Sequence, residues 1–485
     1  MIQPPPFRFD NSFARDMPGF YLAVQPIPVA EPGLLKLNHG LAAELGLDAA
    51  ALDNAQGAAI FAGNVLPAGA NPLAQAYAGH QFGGFSAQLG DGRAVLLGEV
   101  IDIFGQRRDI ALKGSGRTPF SRGGDGRAAL GPVLREYILG EAMHGLGIPT
   151  TRALAAVATG ERVYRQTALP GAVLTRVAAS HIRVGSFQFF AARRETDNVR
   201  QLADYAIARH YPGLAGAENR YLAFFEAVCG RQARLVAQWM LAGFIHGVMN
   251  TDNMSISGET MDYGPCAFLE HYDPGQVFSS IDRGGRYAYA SQPLVLGWNL
   301  VRLAEALLPL FADDRDRAVE LANGLIPGIE VRYEAAWLAG MRAKLGLAGI
   351  EPGDAALAEH FLAALEAGRA DYTLAFRHLA RAATGDEGPL RALFGDVALL
   401  DAWLPRWRAR GAASPEALRA KNPGFIARNH RVEEALGAAE GGNLAPFEAL
   451  LAVLARPFDD HPEFAALAEP ASVEETQGYR TFCGT

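Results

Sequence analysis

Residues 219–246 carry the most regular helical pattern of hydrophobic and polar positions in the chain. Hydrophobic residues recur three and four positions apart, which predicts a helix with one buried face that ends at His246. Gly247 then predicts a C-terminal cap, because glycine readily adopts a left-handed conformation. The hydrophobic and small residues of the buried face are Leu235, Val236, Trp239, Met240, Gly243 and Phe244.

Upstream, between residues 71 and 170, short hydrophobic runs alternate with glycine-rich turns. The Asp91-Gly92 pair predicts a tight turn, since both residue types tolerate a positive φ. The hydrophobic runs 85–89 and 94–100 lie on either side of this turn. They therefore predict the two strands of a hairpin.

Three further elements follow from the same kind of pattern. The run 109–113 predicts a strand, and Pro132 predicts the first turn of a helix that continues to about Met143. The runs 253–256 and 260–262 predict a second hairpin around a short polar turn. After residue 293 the chain is rich in Ala, Leu and Arg with helical spacing and has no fixed-period repeat, which disfavours a solenoid.

This order of elements predicts an α+β fold with a β-rich lobe followed by a large helical lobe. We expect a loose N-terminal extension over residues 1–70 and the β-rich lobe over 71–185. The helical lobe is expected over 186–470, with a hairpin-sized segment at 246–266 near its start. Residues 471–485 are expected to form a mobile C-terminal tail.

Composition places the chain among ordinary globular proteins, with 485 residues, 49% hydrophobic and 20% charged. A net charge of -8 and a sequence pI of about 5.8 disfavour nucleic acid as a main partner. We recognise no secretory signal and no apolar run long enough to span a membrane. Three cysteines do not make a disulfide framework, so we expect a cytoplasmic protein without a membrane partner.

Asp252, Asn253 and Asp262 place two carboxylates and one amide within a short segment. Such hard oxygen ligands suit Mg²⁺. Lys113, at the end of a predicted strand, suits the phosphates of a nucleoside triphosphate such as ATP. Asp252 is also a candidate to accept a proton from an attacking hydroxyl. The alternative interpretation is structural, because Asn and Asp are common in turns and lysines are common at the surface.

Other charged and glycine-rich positions could complete such a site. Glu136, on the helix predicted after Pro132, could form an ion pair with Lys113, although Glu141 competes for this role and either glutamate could be solvated. The chain has no G-x-S-x-G, H-E-x-x-H, C-x-x-C or G-x-x-x-x-G-K-[ST] pattern, so other common chemistries find little support.

A basic group and a glycine-rich loop are the remaining candidates for phosphate binding. The basic group is Arg176, His181 and Arg183, which could neutralise a terminal phosphate or could be surface residues. The loop is 123–127, whose backbone amides could cradle a phosphate, although a flexible connection fits its composition equally well.

Three long segments resemble the selenoprotein O family, also called the YdiU family. They are NPLAQAYAGHQFG at 71–83, LKGSGRTPFSR at 112–122 and HGVMNTDNM at 246–254. The resemblance covers most of the chain. It implies a two-lobed, protein-kinase-like fold. It also implies a protein adenylyltransferase that transfers AMP from ATP to Ser, Thr or Tyr hydroxyls of proteins, with Mg²⁺ or Mn²⁺ as the cofactor.

The resemblance also implies roles for particular residues. The segment 246–248 stands where kinases have His-Arg-Asp and lacks the aspartate. Asp252 is therefore implied as a substitute base. Asn253 and Asp262 match the metal-binding positions, and Asp262 is also implied as a nucleotide contact.

The nucleotide contacts implied by the resemblance come mostly from the β-rich lobe. Lys113 and Glu136 match a lysine–glutamate ion pair. The family binds ATP inverted relative to kinases, and Arg176 and Arg183 match the arginines that hold the buried γ-phosphate. The further nucleotide contacts implied are Gly90, Gly92, Arg93, Asp125 and Gly126.

Cys483 resembles a position that selenocysteine occupies in some family members, where this end of the chain is tied to redox control. A pairing of Cys483 with Cys266 is one possibility, and a free thiol in the tail is the alternative. Two other functions also stay open. One is an ordinary protein kinase that transfers the γ-phosphoryl group, and the other is a non-catalytic nucleotide-binding regulator.

Overall fold

Strands between Tyr21 and Ala178 form one eight-stranded antiparallel sheet in the computed structural model, which describes residues 7–411, 413–476 and 478–482. In chain order the strands are β1 (Tyr21–Ala23), β2 (Gly33–Leu37), β3 (Leu73–Gln75), β4 (Gly79–Gln81), β5 (Gly84–Ser86), β6 (Ala94–Ile101), β7 (Arg107–Lys113), β8 (Ala128–Ala129), β9 (Arg152–Tyr164), β10 (Ala168–Ala178), β11 (Phe244–Ile245) and β12 (Ala267–Phe268). The strand order in the sheet is β1-β3-β6-β7-β10-β9-β2, and β8 pairs with β10. The pairs β4–β5 and β11–β12 lie outside it.

Helices precede, interrupt and follow the sheet. In chain order they are α1 (Ser12–Asp16), α2 (His39–Glu44), α3 (Ala49–Leu52), α4 (Ala55–Phe61), α5 (Leu130–Gly145), α6 (Val184–Ala191), α7 (Thr196–His210), α8 (Arg220–Ala242), α9 (Gln292–Phe311), α10 (Arg315–Leu325), α11 (Pro327–Leu345), α12 (Asp354–Ala367), α13 (Tyr372–Ala382), α14 (Gly388–Arg391), α15 (Ala398–Arg410), α16 (Pro415–Arg419), α17 (Asn429–Glu440), α18 (Ala445–Leu454) and α19 (Val473–Thr476). The fold is therefore mixed α+β, and the helical pattern predicted after residue 293 is confirmed.

Both faces of the sheet are buried, which explains why its strands read as hydrophobic runs without polar alternation. Leu96 and Ala111 belong to a large core that continues through the helices as far as Leu454. Leu97 and Leu112, one position further along each strand, belong to a smaller core formed with the N-terminal segment. Successive side chains thus enter opposite cores, as the two-residue period of a strand requires.

The hairpin predicted around Asp91 is wrong, although its second strand exists as β6. Strand β6 pairs with β7 and β3, whereas Phe85 lies in β5 and pairs with β4. The reason is that Asp91 is hydrogen-bonded to the backbone of β3 instead of forming the predicted hairpin turn. Asp91 accepts a hydrogen bond from the Gln75 amide through Oδ2 (3.0 Å) and donates its own amide to the Gln75 carbonyl (3.0 Å), which fixes it beside β3. The strand predicted at 109–113 is confirmed within β7.

The N-terminal segment is not the loose extension that its composition suggested. Strand β1 pairs with β3 and β2 pairs with β9, so both edges of the sheet come from this segment. Phe7, Phe13 and Phe20 are buried. Proline and alanine content alone therefore gave the wrong prediction, because the strands from this segment pair with partners far along the chain.

Helix α8 confirms the helix predicted from residue 219, but it ends earlier than predicted. Gly243 is its cap with φ 72°, and Phe244 and Ile245 form β11, which pairs with β12. Gly247 and His246 thus lie beyond the helix. The hairpin predicted over 253–262 is also wrong, because Ser255 bridges to Arg183 and Thr260 to Thr150. Helix α5 confirms the helix predicted after Pro132.

The described part of the C-terminal tail is held against the rest of the molecule. Thr481 forms a bridge with Ser279, and its hydroxyl donates to the Pro265 carbonyl (2.7 Å). The Tyr479 ring packs edge-on against Phe278. The expectation of a mobile tail is therefore wrong for these residues.

One described helical stretch, Tyr289–Phe311, is long and apolar enough to cross a membrane by length and composition alone, with a mean hydropathy of 1.5. The sequence analysis recognised no such run. Of the 18-residue window that meets this criterion, 56% is buried inside the structure, and the core helix of a globular protein passes the same test.

Replacing Gly243 with alanine is expected to lower the free energy of unfolding by about 2 kcal/mol. An L-residue is strained at φ 72°, and its Cβ would lie 2.8 Å from the Tyr372 ring. Urea denaturation measures the change. Gly324→Ala in α10 is the matched control, because nothing lies within 4 Å of its Cβ, and it should keep or raise stability. Equal stability of the two variants would contradict this account of the cap.

Candidate active site

Four of the predicted site residues meet in one buried ion-pair cluster. The Lys113 ammonium contacts a carboxylate oxygen of Glu136 and lies 3.1 Å from Asp262 Oδ1. Arg176 Nη1 lies 2.6 Å from Asp262 Oδ1 and 3.3 Å from Glu136 Oε1. Glu136 therefore takes the position predicted for it, whereas Glu141 pairs with Arg152.

The neighbouring strands β7 and β10 explain why two of these cations meet. Lys113 is opposite Leu174, and Arg176 is opposite Ala111. Lys113 and Arg176 are therefore diagonal neighbours on the same face of the sheet. Helix α5 packs on that face and presents Glu136 to both side chains.

Asp262 is held in an ionised and conformationally strained state. Its φ of 60° is in the left-handed region, which is uncommon for a residue other than glycine. Burial raises the pKa of Asp262, but the charges of Arg176, Lys113 and Arg183 outweigh it and hold the pKa well below the usual range. A carboxylate that stays ionised at neutral pH is available to a divalent cation.

Arg183 joins the site through Asp91, which the sequence analysis interpreted only as a turn residue. Arg183 Nη1 lies 3.3 Å from Asp91 Oδ1, and its guanidinium lies 4.1 Å from the centre of the Tyr77 ring. Arg183 immediately precedes α6. Both Arg176 and Arg183 side chains are only 2% exposed, so neither is the surface arginine of the alternative interpretation.

A second buried group fixes the direction of the Arg176 side chain. Arg176 Nε donates to His181 Nε2 (3.2 Å), so the His181 proton is on Nδ1 and donates to Asp109 Oδ2 (2.9 Å). Burial lowers the pKa of His181, consistent with this neutral form. Asp109 also pairs with Arg209 (2.5 Å). Sequence reasoning missed Asp109 and Arg209, because no local pattern links them to the site.

Asp252 lies in a short 3₁₀ turn at Thr251–Asn253, under the hairpin formed by β4 and β5. Its Oδ2 accepts a hydrogen bond from Gln81 Nε2 (3.2 Å). Its Oδ1 is buried and has no hydrogen-bond partner among the described residues. Burial raises the pKa of Asp252 to about 6. A carboxylate with a free oxygen and this pKa suits a general base at neutral pH.

The hairpin β4–β5 anchors the segment that carries Asp252. The His80 amide donates to the Thr251 hydroxyl (2.7 Å), and the Phe82 amide donates to Asn250 Oδ1 (3.1 Å). Thr251 in turn donates to Gln188 on α6 (2.6 Å). The sequence segment 71–83 thus contributes to the site by positioning Asp252.

The sequence predicted that a hairpin would bring Asn253 and Asp262 together, but the structure has no hairpin over the described residues between them. The Asn253 side-chain nitrogen instead donates to the Val248 carbonyl (3.0 Å). Within residues 7–411, 413–476 and 478–482, no group of three or more His, Cys, Asp or Glu side chains is arranged to hold a metal ion. A cation at this site would therefore take at most two such side chains from the described residues.

The glycine positions predicted to contact a nucleotide make close backbone approaches. A Cβ on Gly90 would lie 2.3 Å from the Phe120 ring, and one on Gly92 would lie 2.9 Å from the Phe120 carbonyl. Arg93 lines the same small cavity as Lys113 and Glu136.

The ion pairs of the loop 123–127 are with Arg165 and Glu161 rather than with the cluster around Lys113. The Asp125 carboxylate pairs with Arg165 (2.8 Å) and is 44% exposed. Gly126, with φ 68°, packs against Gly116, where a Cβ would lie 2.0 Å from the carbonyl oxygen. Gly126 thus lies against the chain just beyond Lys113, whereas Asp125 points to Arg165.

Of the two cysteines considered for redox pairing, the structure describes only Cys266. Cys266 is buried, and burial raises the pKa of its thiol to about 11, so the thiol is protonated at neutral pH. Cys483 lies outside the described residues. The pairing of Cys266 with Cys483 thus stays a prediction.

Comparison with known proteins gives a consistent family. The family model described as "Protein adenylyltransferase SelO" matches residues 6–455. A "Protein nucleotidyltransferase YdiU" of Cereibacter sphaeroides is 67% identical over 481 residues, which cover 99% of this chain and 100% of the relative. Relatives with the same name in a Bradyrhizobium species (61%) and in Rhizobium rhizogenes (59%) are matched over 99% and 98% of their lengths.

Proposed function

Because the chain belongs to the protein adenylyltransferase SelO family and is thus a protein nucleotidyltransferase, we propose that it transfers AMP from ATP to Ser, Thr or Tyr hydroxyls of protein substrates. The observation that carries this proposal is the buried cluster of Lys113, Arg176 and Arg183 next to an ionised Asp262. Three cations suit a triphosphate, and the carboxylate suits its divalent cation.

The burial of the cations supports an inverted ATP. The Arg176 and Arg183 side chains are 2% exposed, whereas the Lys113 side chain is 13% and the Asp262 side chain is 24% exposed. The arginines therefore form the closed end of the site. A triphosphate that enters with its γ-phosphate first would meet them, which leaves the α-phosphate near the solvent side for attack by a protein hydroxyl.

In the proposed reaction, the acceptor oxygen attacks the α-phosphorus and forms a new phosphoester bond. The bond between the α-phosphorus and the bridging oxygen breaks, and diphosphate leaves. The hydroxyl proton passes to the free Oδ1 of Asp252. Lys113, Arg176 and Arg183 neutralise the charge on the departing diphosphate.

We propose that Asn253 and Asp262 hold Mg²⁺ or Mn²⁺, because amide and carboxylate oxygens are ligands that these hard cations prefer. Mg²⁺ in nucleotide sites takes one or two protein oxygens and completes its coordination with phosphates and waters. When bound, such a cation supplies charge neutralisation to the phosphates. The Asn253 nitrogen is engaged by Val248, which leaves its side-chain oxygen for a cation.

We further propose that the arrangement is protein-kinase-like. Kinases bind ATP and metal with a lysine on a sheet strand, a glutamate on the helix packed against that sheet, and an aspartate further along the chain. Lys113 on β7, Glu136 on α5 and Asp262 after α8 supply them.

Two labelled forms of ATP test the proposed reaction. The protein is incubated with Mg²⁺ or Mn²⁺ and a bacterial extract, once with α-labelled and once with γ-labelled ATP. We expect protein-bound label only from the α position. Label only from the γ position would make the protein a kinase. No label from either form, with both metals and with reductant present, would support a non-catalytic regulator.

Replacing Gly79 with alanine is expected to reduce this transfer by about 10- to 100-fold. The new Cβ would lie 2.4 Å from Asp252 Oδ1 and would displace the carboxylate. The thermal shift produced by ATP and metal should be unchanged. Gly84→Ala in the same hairpin is the control, because its nearest atom is 3.5 Å away. Equal transfer rates in the two variants would argue against this position for the base.

A further inference from the structure

A cavity of about 910 Å³ lies between α8, α11 and the turns that follow α5 and α16. This volume is within the range of small-molecule binding sites. Its apolar wall includes Leu146, Ile148, Leu235, Leu241 and Phe458. None of the residues placed in the candidate active site lines it.

The charged residues that line this cavity are all cations: Arg231, Arg234, Lys344 and Lys421. Lys344 is the unusual one, because it is only 7% exposed and no carboxylate pairs with it in the described part of the chain. Its ammonium lies 4.2 Å from the centre of the Phe376 ring and 5.6 Å from that of the Tyr372 ring, and these contacts replace only part of the lost hydration. Burial lowers the pKa of Lys344 to about 7.

We propose that this cavity binds a small organic anion, with a phosphate or carboxylate held by Lys344 and an apolar body against the hydrophobic wall. A buried ammonium either loses its proton or needs a counter-charge, and the described part of the chain supplies no carboxylate for Lys344. Arg234 and Lys421 are exposed and lie at the entrance, where they would attract an anion from solvent.

The cavity wall is hydrogen-bonded to the segment between Asn253 and Asp262. The Pro149 carbonyl accepts from the amide of Thr260 (2.9 Å) and from its hydroxyl (3.0 Å). Arg231 Nη1 donates to the Ser257 carbonyl (3.2 Å). These bonds are the path by which a ligand that shifts either wall residue would move the chain that carries Asp262.

Calorimetric titration with phenyl phosphate and with benzoate tests this assignment. Both probes carry an anion on an apolar ring. We expect Lys344→Met to weaken binding of both by at least about tenfold, since the charge-assisted contact is lost. Lys113→Met is the control, because it removes a phosphate contact of the active site and should leave cavity binding unchanged. Lys421→Met, at the exposed entrance, should weaken binding about two- to fivefold.

Three results would overturn the proposal. The first is no binding of either probe to the wild-type protein at 10 mM, about the weakest affinity of interest for a small ligand. The second is equal affinity in wild type and Lys344→Met. The third is binding lost in Lys113→Met and kept in Lys344→Met, which would assign the probes to the active site. If Lys344→Met does not fold, unchanged affinity in an Arg234→Met, Lys421→Met double variant has the same meaning.

Discussion

Replacing Asp262 with asparagine is expected to reduce metal-dependent AMP transfer by about 10²- to 10³-fold, with the fold retained. Asparagine tolerates the left-handed backbone at φ 60° and preserves the shape of the side chain. It removes the negative charge that Lys113 and Arg176 surround, and with it the proposed ionic ligand of the cation. Initial rates with α-labelled ATP at several metal concentrations measure the effect.

Two comparisons separate this loss from a loss of structure. Circular dichroism should match that of the wild type, and the thermal shift produced by Mn²⁺ and ATP together should fall in Asp262→Asn. Asp273→Asn is the matched control. The Asp273 side chain accepts a hydrogen bond from the Gly275 amide (2.8 Å) outside the cluster, and an asparagine oxygen can accept the same bond. A transfer rate close to that of the wild type in Asp262→Asn would rule out this metal ligand.

The buried charges of the site are better explained by a ligand than by stability. Glu136 and Asp262 share contacts with Lys113 and Arg176, and Arg183 has a further carboxylate in Asp91. Burying ions is expensive, and buried ion pairs add little net stability compared with hydrophobic residues of similar size. If these cations exchange their carboxylate partners for the phosphates of an entering triphosphate, ligand binding is the physical reason for their burial.

Local periodicity was enough to predict the long helices and the strand that carries Lys113. Helix α8 follows a 3.6-residue pattern over more than twenty residues, and such patterns leave little ambiguity. The contact of Lys113 with Glu136 was predicted from the resemblance to the selenoprotein O family, because the residue pattern alone left Glu141 and a solvated glutamate as alternatives. The predicted end of α8 was too late, because Gly243 and Gly247 could both cap the helix and the structure uses Gly243.

Pairings between remote segments were beyond the sequence. The sequence predicted that the run 85–89 pairs with the run 94–100 across Asp91. In the structure β6, which contains the second run, pairs with β7 and β3 instead. Asp91 and Asp109 acquire their roles only when the sheet brings them to Arg183 and His181. A single sequence holds no signal for such contacts, because the partners are 92 and 72 residues away.

Replacing Asp252 with asparagine is expected to lower the rate of AMP transfer by about 10²- to 10⁴-fold without weakening ATP binding. The proposed base loses its ability to accept a proton, whereas Asp252 makes no contact with Lys113 or Arg176. Kinetic titration should therefore show a lower kcat and an unchanged KM for ATP. A raised KM with an unchanged kcat would instead identify Asp252 as a binding residue.

The pH dependence of the wild-type enzyme supplies a second test of the same base. The pKa of Asp252 is raised to about 6 by burial, so the carboxylate is ionised above pH 6 and protonated below it. Transfer should therefore fall as the pH decreases through about 6, and the residual rate of Asp252→Asn should lack this step. The hydrogen bond from Gln81 favours the ionised form and lowers the pKa. Gln81→Met should therefore move the midpoint to higher pH, which a purely structural role for Asp252 would not explain.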